Sequence, residues 1–146
     1  MNRYFILFVL LLGAGCNEAD NTQPAPGEWR HHGSELASSK YSPLDQINAG
    51  TFEALQPAWR WESADLRLDQ ELLYGTGDYR ATPLKVGDRL YAVTNHGQVA
   101  ALDPATGQEY WVYDPQSYRH PQPNFQPLQT RGIEYWTDGE VERIFL

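Results

Sequence analysis

The feature that most constrains this chain is an eleven-residue run, Ala101-Leu102-Asp103-Pro104-Ala105-Thr106-Gly107-Gln108-Glu109-Tyr110-Trp111. Two strand-like segments flank a turn over residues 104–107, and the second segment carries a tryptophan. Pro104 presets φ for the turn, and the Asp103 and Thr106 side chains can accept from nearby backbone amides. Gly107 supplies the φ > 0 that closes such a loop. Read alone, this is a well-formed hairpin turn, a pattern common in antiparallel sheets.

It has company. Upstream, Thr82-Pro83-Leu84-Lys85-Val86 and Arg89-Leu90-Tyr91-Ala92-Val93-Thr94 flank Gly87-Asp88, a two-residue hairpin signal. Asn95-His96-Gly97 then turns into Gln98-Val99-Ala100-Ala101-Leu102. Residues 82–113 therefore read as short strands joined by tight turns, the pattern of one antiparallel propeller blade. Alternation is imperfect, as expected where both faces of a blade pack on neighbours. A second blade begins with strands near residues 132–136 and 141–146, separated by Thr137-Asp138-Gly139-Glu140. At about 40–50 residues per repeat, 146 residues hold too few units to close a ring. The expectation is an all-β, partial β-propeller belonging to a longer protein.

The N-terminus reads separately. Met1-Asn2-Arg3 is a short basic start, residues 4–12 are continuously apolar, and Gly13-Ala14-Gly15 precede Cys16, the one cysteine of the chain. The apolar core is too short to span a bilayer but suits a secretory signal. The junction before Cys16 is similar to a bacterial lipobox, which makes residues 1–15 a signal peptide and Cys16 the lipidated residue. The alternative is a free cysteine behind an ordinary signal peptide. Asn17 follows Cys16, where an aspartate would favour inner-membrane retention, so the expectation is a periplasm-facing, outer-membrane lipoprotein. Residues 16–27 form a polar, proline-bearing tether. The formal net charge is −8, with no Lys/Arg cluster, which argues against nucleic acid as a partner.

Taken together, the A-x-D-x-x-T-G-x-x-x-W order of Ala101, Asp103, Thr106, Gly107 and Trp111 resembles the tryptophan-docking motif of the quinoprotein dehydrogenases. These enzymes carry pyrroloquinoline quinone (PQQ) on a β-propeller. In that family each such tryptophan wedges between neighbouring blades, so the resemblance implies a buried Trp111. Residues 28–62 also resemble the family's leading segment, with Trp29, Gly33 and Ser42-Pro43-Leu44-Asp45-Gln46-Ile47-Asn48. Locally, Ser42 offers a cap for a short helix with Pro43 in its first turn, and Asn48 a second cap before residues 51–55. Residues 55–62 read as a strand with Trp59 and Trp61 on one face. The resemblance makes this the strand that closes the ring. It divides the mature chain into this leading segment, a complete blade over 82–113 and a truncated one over 131–146.

Three residues are candidates for the cofactor wall. His96 matches the T-x-H of membrane glucose dehydrogenases, where the resemblance puts it near PQQ and substrate; otherwise it is a surface turn histidine capping its own backbone. Arg131 matches an R-G-[VI]-x-Y stretch whose arginine contacts the quinone, and a guanidinium fork suits the carboxylates and ortho-quinone of PQQ. Its alternative is pairing with surface carboxylates. Arg80 stands three residues before Pro83, where several relatives have a cofactor-bonding glutamate, so that role does not transfer unchanged. No cysteine pair precedes Arg131, which leans away from alcohol-type relatives and toward sugar or polyol types. His31-His32 are adjacent and point to opposite faces of an extended chain, which chelates one ion poorly. His120 sits in a proline-rich loop.

The resemblance implies PQQ-dependent oxidation of a sugar, polyol or alcohol, with electrons passed to a quinone or cytochrome. It also implies a calcium ion and an aspartate base, both with residues beyond Leu146, so this stretch alone is not expected to turn over. A non-catalytic alternative stays open, because outer-membrane assembly lipoproteins also combine a lipobox with PQQ-like repeats and scaffold protein partners.

Overall fold

The computed structural model describes residues 24–68, 79–119 and 131–146. Cys16, the signal-peptide stretch, His120 and residues 125–130 lie outside them. Among the described residues, no helix is long and apolar enough to cross a membrane.

Four antiparallel strands form one sheet in sequential order: β1 Leu84–Val86, β2 Arg89–Val93, β3 Val99–Leu102 and β4 Glu109–Tyr113. This is the expected blade, with strands joined at the expected turns. Residues 87–88 join β1 to β2, residues 95–97 join β2 to β3, and the turn after Asp103 joins β3 to β4. A second, two-stranded antiparallel sheet pairs β5 Glu134–Thr137 with β6 Glu142–Phe145.

The register explains the weak alternation. Leu84 lies opposite Tyr91, Tyr91 opposite Ala101 and Ala101 opposite Trp111, so these four side chains share one face. On that face Leu84, Val86, Val93 and Val99 form a core with Tyr135 of the second sheet and Ile133 just before it, and Tyr91 and Ile144 pack against it. The opposite face carries Ala92, Ala100 and Leu102, also buried. Every residue of β3 is therefore buried, as in a strand covered on both sides.

Trp111 departs from expectation. It is 44% exposed, touching Tyr91 with ring centroids 6.0 Å apart. The cause is positional. β4 is the last strand of its sheet, and the second sheet contributes only β5 and β6, which cover the β1–β3 side of the shared face.

The leading segment is irregular rather than helical or stranded. Ser42 caps no helix: its Oγ accepts from the Leu44 amide at 3.3 Å within irregular chain. A single 3₁₀ turn, Phe52–Ala54, follows Asn48, and its N-cap is Thr51, whose side chain makes no cap bond. Thr51 Oγ1 instead accepts from the Asn48 amide and donates to Gln46 O, so the cap chemistry closes the preceding turn. Residues 55–62 have no strand partner, and a second 3₁₀ turn, Ala64–Arg67, follows. One backbone bridge and several side chains hold this segment to the blade. Trp29 exchanges both backbone hydrogen bonds with Lys85, covering the free edge of β1. Glu28 accepts from the Gly87 amide at 2.7 Å and from Arg30 Nε at 2.7 Å.

Candidate functional site

The two ends of the blade differ. At one end lie the β1–β2 turn and the β3–β4 turn; at the other lie the start of β1, the β2–β3 turn and the chain leaving β4.

The first end contains the docking motif. Asp103 Oδ1 accepts from the amides of Ala105 and Thr106, each at 2.8 Å, and Oδ2 accepts from Tyr110 Oη–H at 2.8 Å. The Gly107 amide donates to Asp103 O at 2.8 Å. Gly107 has φ +71°, and a Cβ there would stand 2.4 Å from Cε3 of Trp59. The indole of Trp59 thus lies flush on Gly107, and its Nε1–H donates to Pro104 O at 3.1 Å. Trp61 Nε1–H donates to Glu109, which also takes a bidentate contact from Arg67 at 2.6 and 2.8 Å. The tryptophan seated on this turn is therefore Trp59, from 45 residues upstream. The sequence marked Trp59 only as part of a strand face.

The second end holds a cleft of about 630 Å³, within the usual size for a small-molecule site. Arg80 and Arg131, both exposed, line it together. Its floor is set where the two sheets meet, in a parallel bridge between Thr82 and Gly132. Gly132 has φ +152°, and a Cβ there would meet nothing within 4 Å, so the backbone faces open space. Phe145 and Leu146 supply an apolar side. Glu134 is the one carboxylate side chain among the described lining residues, and His31 Nδ1 lies 2.9 Å from its Oε2. His32 also lines the cleft, with Nδ1 at 3.1 Å from Thr82 Oγ1. Two guanidiniums, a histidine and an open glycine backbone form a donor set suited to a planar polyanion such as PQQ. Among the described residues no group of three or more His, Cys, Asp or Glu is placed to hold a metal ion.

His96 is not a lining residue. It is 2% exposed in the β2–β3 turn, which excludes the surface-turn alternative. Its amide donates to Asp65 Oδ2 at 3.2 Å, and Ser117 Oγ donates to its carbonyl at 3.3 Å. The ring Nδ1 is 3.0 Å from Asp65 Oδ2, at ion-pair distance but off the line of a directed hydrogen bond. Tyr118 meets the ring edge-on at 6.4 Å. Asp65 also accepts from Gln98 Nε2 at 2.9 Å. Burial pushes the Asp65 carboxyl up, but hydrogen bonds from Thr94, His96 and Gln98 and the nearby imidazole outweigh that, so it sits below the ordinary carboxylate value. The turn borders the cleft through Leu146, whose Cδ2 would lie 4.0 Å from a Cβ at Gly97. Sequence reasoning missed Asp65, for which the only signal was a Ser63 cap ahead of it.

Comparison with known proteins defines the class. Residues 29–146 match the PQQ family of the glucose/ethanol/alcohol dehydrogenase beta-propeller domain. The chain belongs to this family. Quinoprotein glucose dehydrogenase A of Acinetobacter calcoaceticus is 35% identical over 123 residues, 82% of this chain and 15% of that protein. Quinohemoprotein alcohol dehydrogenase ADH IIB of Pseudomonas putida is 33% identical over 130 residues, 87% of this chain and 17% of that protein. The crystal structure of quinohemoprotein alcohol dehydrogenase from Comamonas testosteroni superposes with a TM-score of 0.50 at 33% identity, over 67% of this chain and 13% of that one. The chain thus spans about 15% of the length of the curated relatives it matches.

Proposed function

We propose that this chain forms part of the cofactor wall of a PQQ-dependent dehydrogenase that oxidises a CH–OH group of a sugar, polyol or alcohol. The observation that carries the reading is the meeting of Arg80 and Arg131 in one cleft at the junction of two blades. PQQ, when bound, supplies a two-electron acceptor for the carbinol. The chain's own residues bind and orient. Arg131 offers a guanidinium fork to carboxylate or quinone oxygens, and Arg80 adds a second guanidinium to the same cleft. Gly132 lets the ligand approach the backbone, and Phe145 and Leu146 give the cleft an apolar side. His96, behind that wall in the Asp65-held turn, steadies the rim beside Leu146. Calcium ligands and an aspartate base are assigned to other parts of the full-length enzyme, and a quinone or cytochrome takes the electrons. The family match and the cation-lined cleft favour this over a protein-scaffolding role.

The test is PQQ titration into full-length apo-protein. Arg131→Ala is expected to weaken binding about tenfold to a hundredfold, as for a lost hydrogen bond to a charged group. Arg131→Lys recovers part of that. Unchanged PQQ affinity in Arg131→Ala contradicts the reading.

For location, the proposal is a lipid anchor on Cys16 after removal of residues 1–15, giving an outer-membrane protein facing the periplasm. Mass spectrometry of the membrane fraction should find an acylated N-terminal peptide beginning at Cys16. Unchanged processing and partition in Cys16→Ser contradict it.

A further inference from the structure

The adjacent histidines of the leading segment have separate partners, and the separation has a purpose. Residues 31–34 form a tight turn: the Ser34 amide donates to His31 O at 3.0 Å, and Ser34 sits at φ +81°. Gly33 is packed so closely that a Cβ would stand 2.5 Å from Ser38 Cα. Trp29, itself bridged to Lys85 of β1, donates its indole N–H to His32 O at 3.3 Å. The backbone that carries both rings is therefore tied to the blade at several points. His31 turns to one side, its Nδ1 2.9 Å from Glu134 Oε2. His32 turns to the other, into the cleft with Arg80 and Arg131.

Resting on the reading of this cleft as the PQQ site, we infer that His32 is a third direct contact to the anionic ligand and that Thr82 positions it. The Thr82 hydroxyl lies 3.1 Å from His32 Nδ1, and Thr82 itself is held by its bridge to Gly132. With Nδ1 accepting from that hydroxyl, the ring proton resides on Nε2, which becomes an N–H donor. The opposite assignment would leave Nε2 as a lone pair facing the anionic ligand, an unfavourable placement. His31 complements this. Glu134 is the carboxylate of the same cleft, and His31 holds its Oε2 at 2.9 Å from the neighbouring position. The two histidines thus act together without sharing a ligand.

The experiment is PQQ titration into full-length apo-protein, followed by tryptophan quenching and calorimetry, with ¹⁵N-histidine spectra of the complex. His32→Ala is expected to weaken PQQ about fivefold to tenfold, the usual worth of one such hydrogen bond. Its thermal midpoint should stay near wild type, because the His32 side chain is exposed. Thr82→Val should lose part of the same affinity, and Thr82→Ser should keep it. The His32 signal, assigned by its loss in His32→Ala, should show a protonated Nε2 in the complex. Wild-type affinity in His32→Ala, with Arg131→Ala still weakened, overturns the His32 contact and leaves the cleft reading intact. Wild-type affinity in both variants overturns the cleft reading and the His32 contact with it. If His32→Ala does not fold, His32→Gln replaces it in both the titration and the assignment, and an unprotonated Nε2 in the wild-type complex then overturns the inference on its own.

Discussion

The two ends of the blade are built from different kinds of information. The turn of the docking end is largely local: Asp103 bonds to residues two, three and seven positions away, and Trp59, Trp61 and Arg67 come from farther off to cover it. The cleft end is assembled from segments distant in sequence. His32 meets Thr82 across 50 residues, His31 meets Glu134 across 103, and Asp65 meets the His96 amide across 31. The first end is filled by its own side chains. The second leaves guanidiniums exposed around an open space. On the proposed function the first is a stabilising junction and the second a binding one, and substitutions at the two ends should divide the same way.

The largest expected effect is at Gly107. Gly107→Ala in the full-length protein should cost about 2–4 kcal/mol, adding left-handed backbone strain to displacement of the Trp59 ring. Gly87→Ala is the control, since Gly87 is also left-handed, at φ +54°, but has nothing within 4 Å of its would-be Cβ. It should cost about 1 kcal/mol. Equal losses in denaturant melts would mean that Trp59 does not seat on this turn.

Asp65 comes next, and it tests whether the buried cluster behind the cleft is structural. Its folded carboxyl titrates below the ordinary 3.8, so the unfolded chain binds the proton more readily. The stability it contributes is complete above the ordinary value and lost as pH falls through the lowered one. Asp65→Asn should lower stability near neutral pH by about 1–2 kcal/mol. It should also flatten the decline below about pH 4. A variant with wild-type acid sensitivity contradicts this. The smallest effect belongs to Arg67, whose contact with Glu109 is exposed on the arginine side. Arg67→Ala should change stability by less than about 1 kcal/mol.

The same division decides what could be read in advance. The four strands and three turns of residues 82–113 were legible because Gly87, Gly97, Gly107 and Asp103 encode their turns within a few residues. The second-sheet strands were legible for the same reason. Residues 28–68 were not, because tertiary contacts to Pro104, Glu109 and Gln98 shape them in place of propensity. That is why Ser42 caps nothing and residues 55–62 form no strand. The buried position expected for Trp111 failed because its cover depends on what lies beyond β4, not on its motif. Arg80 and Arg131 were both marked from sequence, but their meeting in one cleft needed the Thr82–Gly132 bridge. The adjacency of His31 and His32 signals only poor chelation; the rings do diverge, and that divergence puts His32 in the cleft.

The most direct test pairs one substitution from each end. Gly107→Ala and Arg131→Ala are made in the full-length protein, and each is measured for both thermal midpoint and PQQ affinity. If the docking end stabilises and the cleft end binds, Gly107→Ala lowers the midpoint while keeping PQQ affinity well below the transition. Arg131→Ala does the reverse. A loss of PQQ affinity in Gly107→Ala with none in Arg131→Ala would contradict the assignment of the cofactor to the cleft.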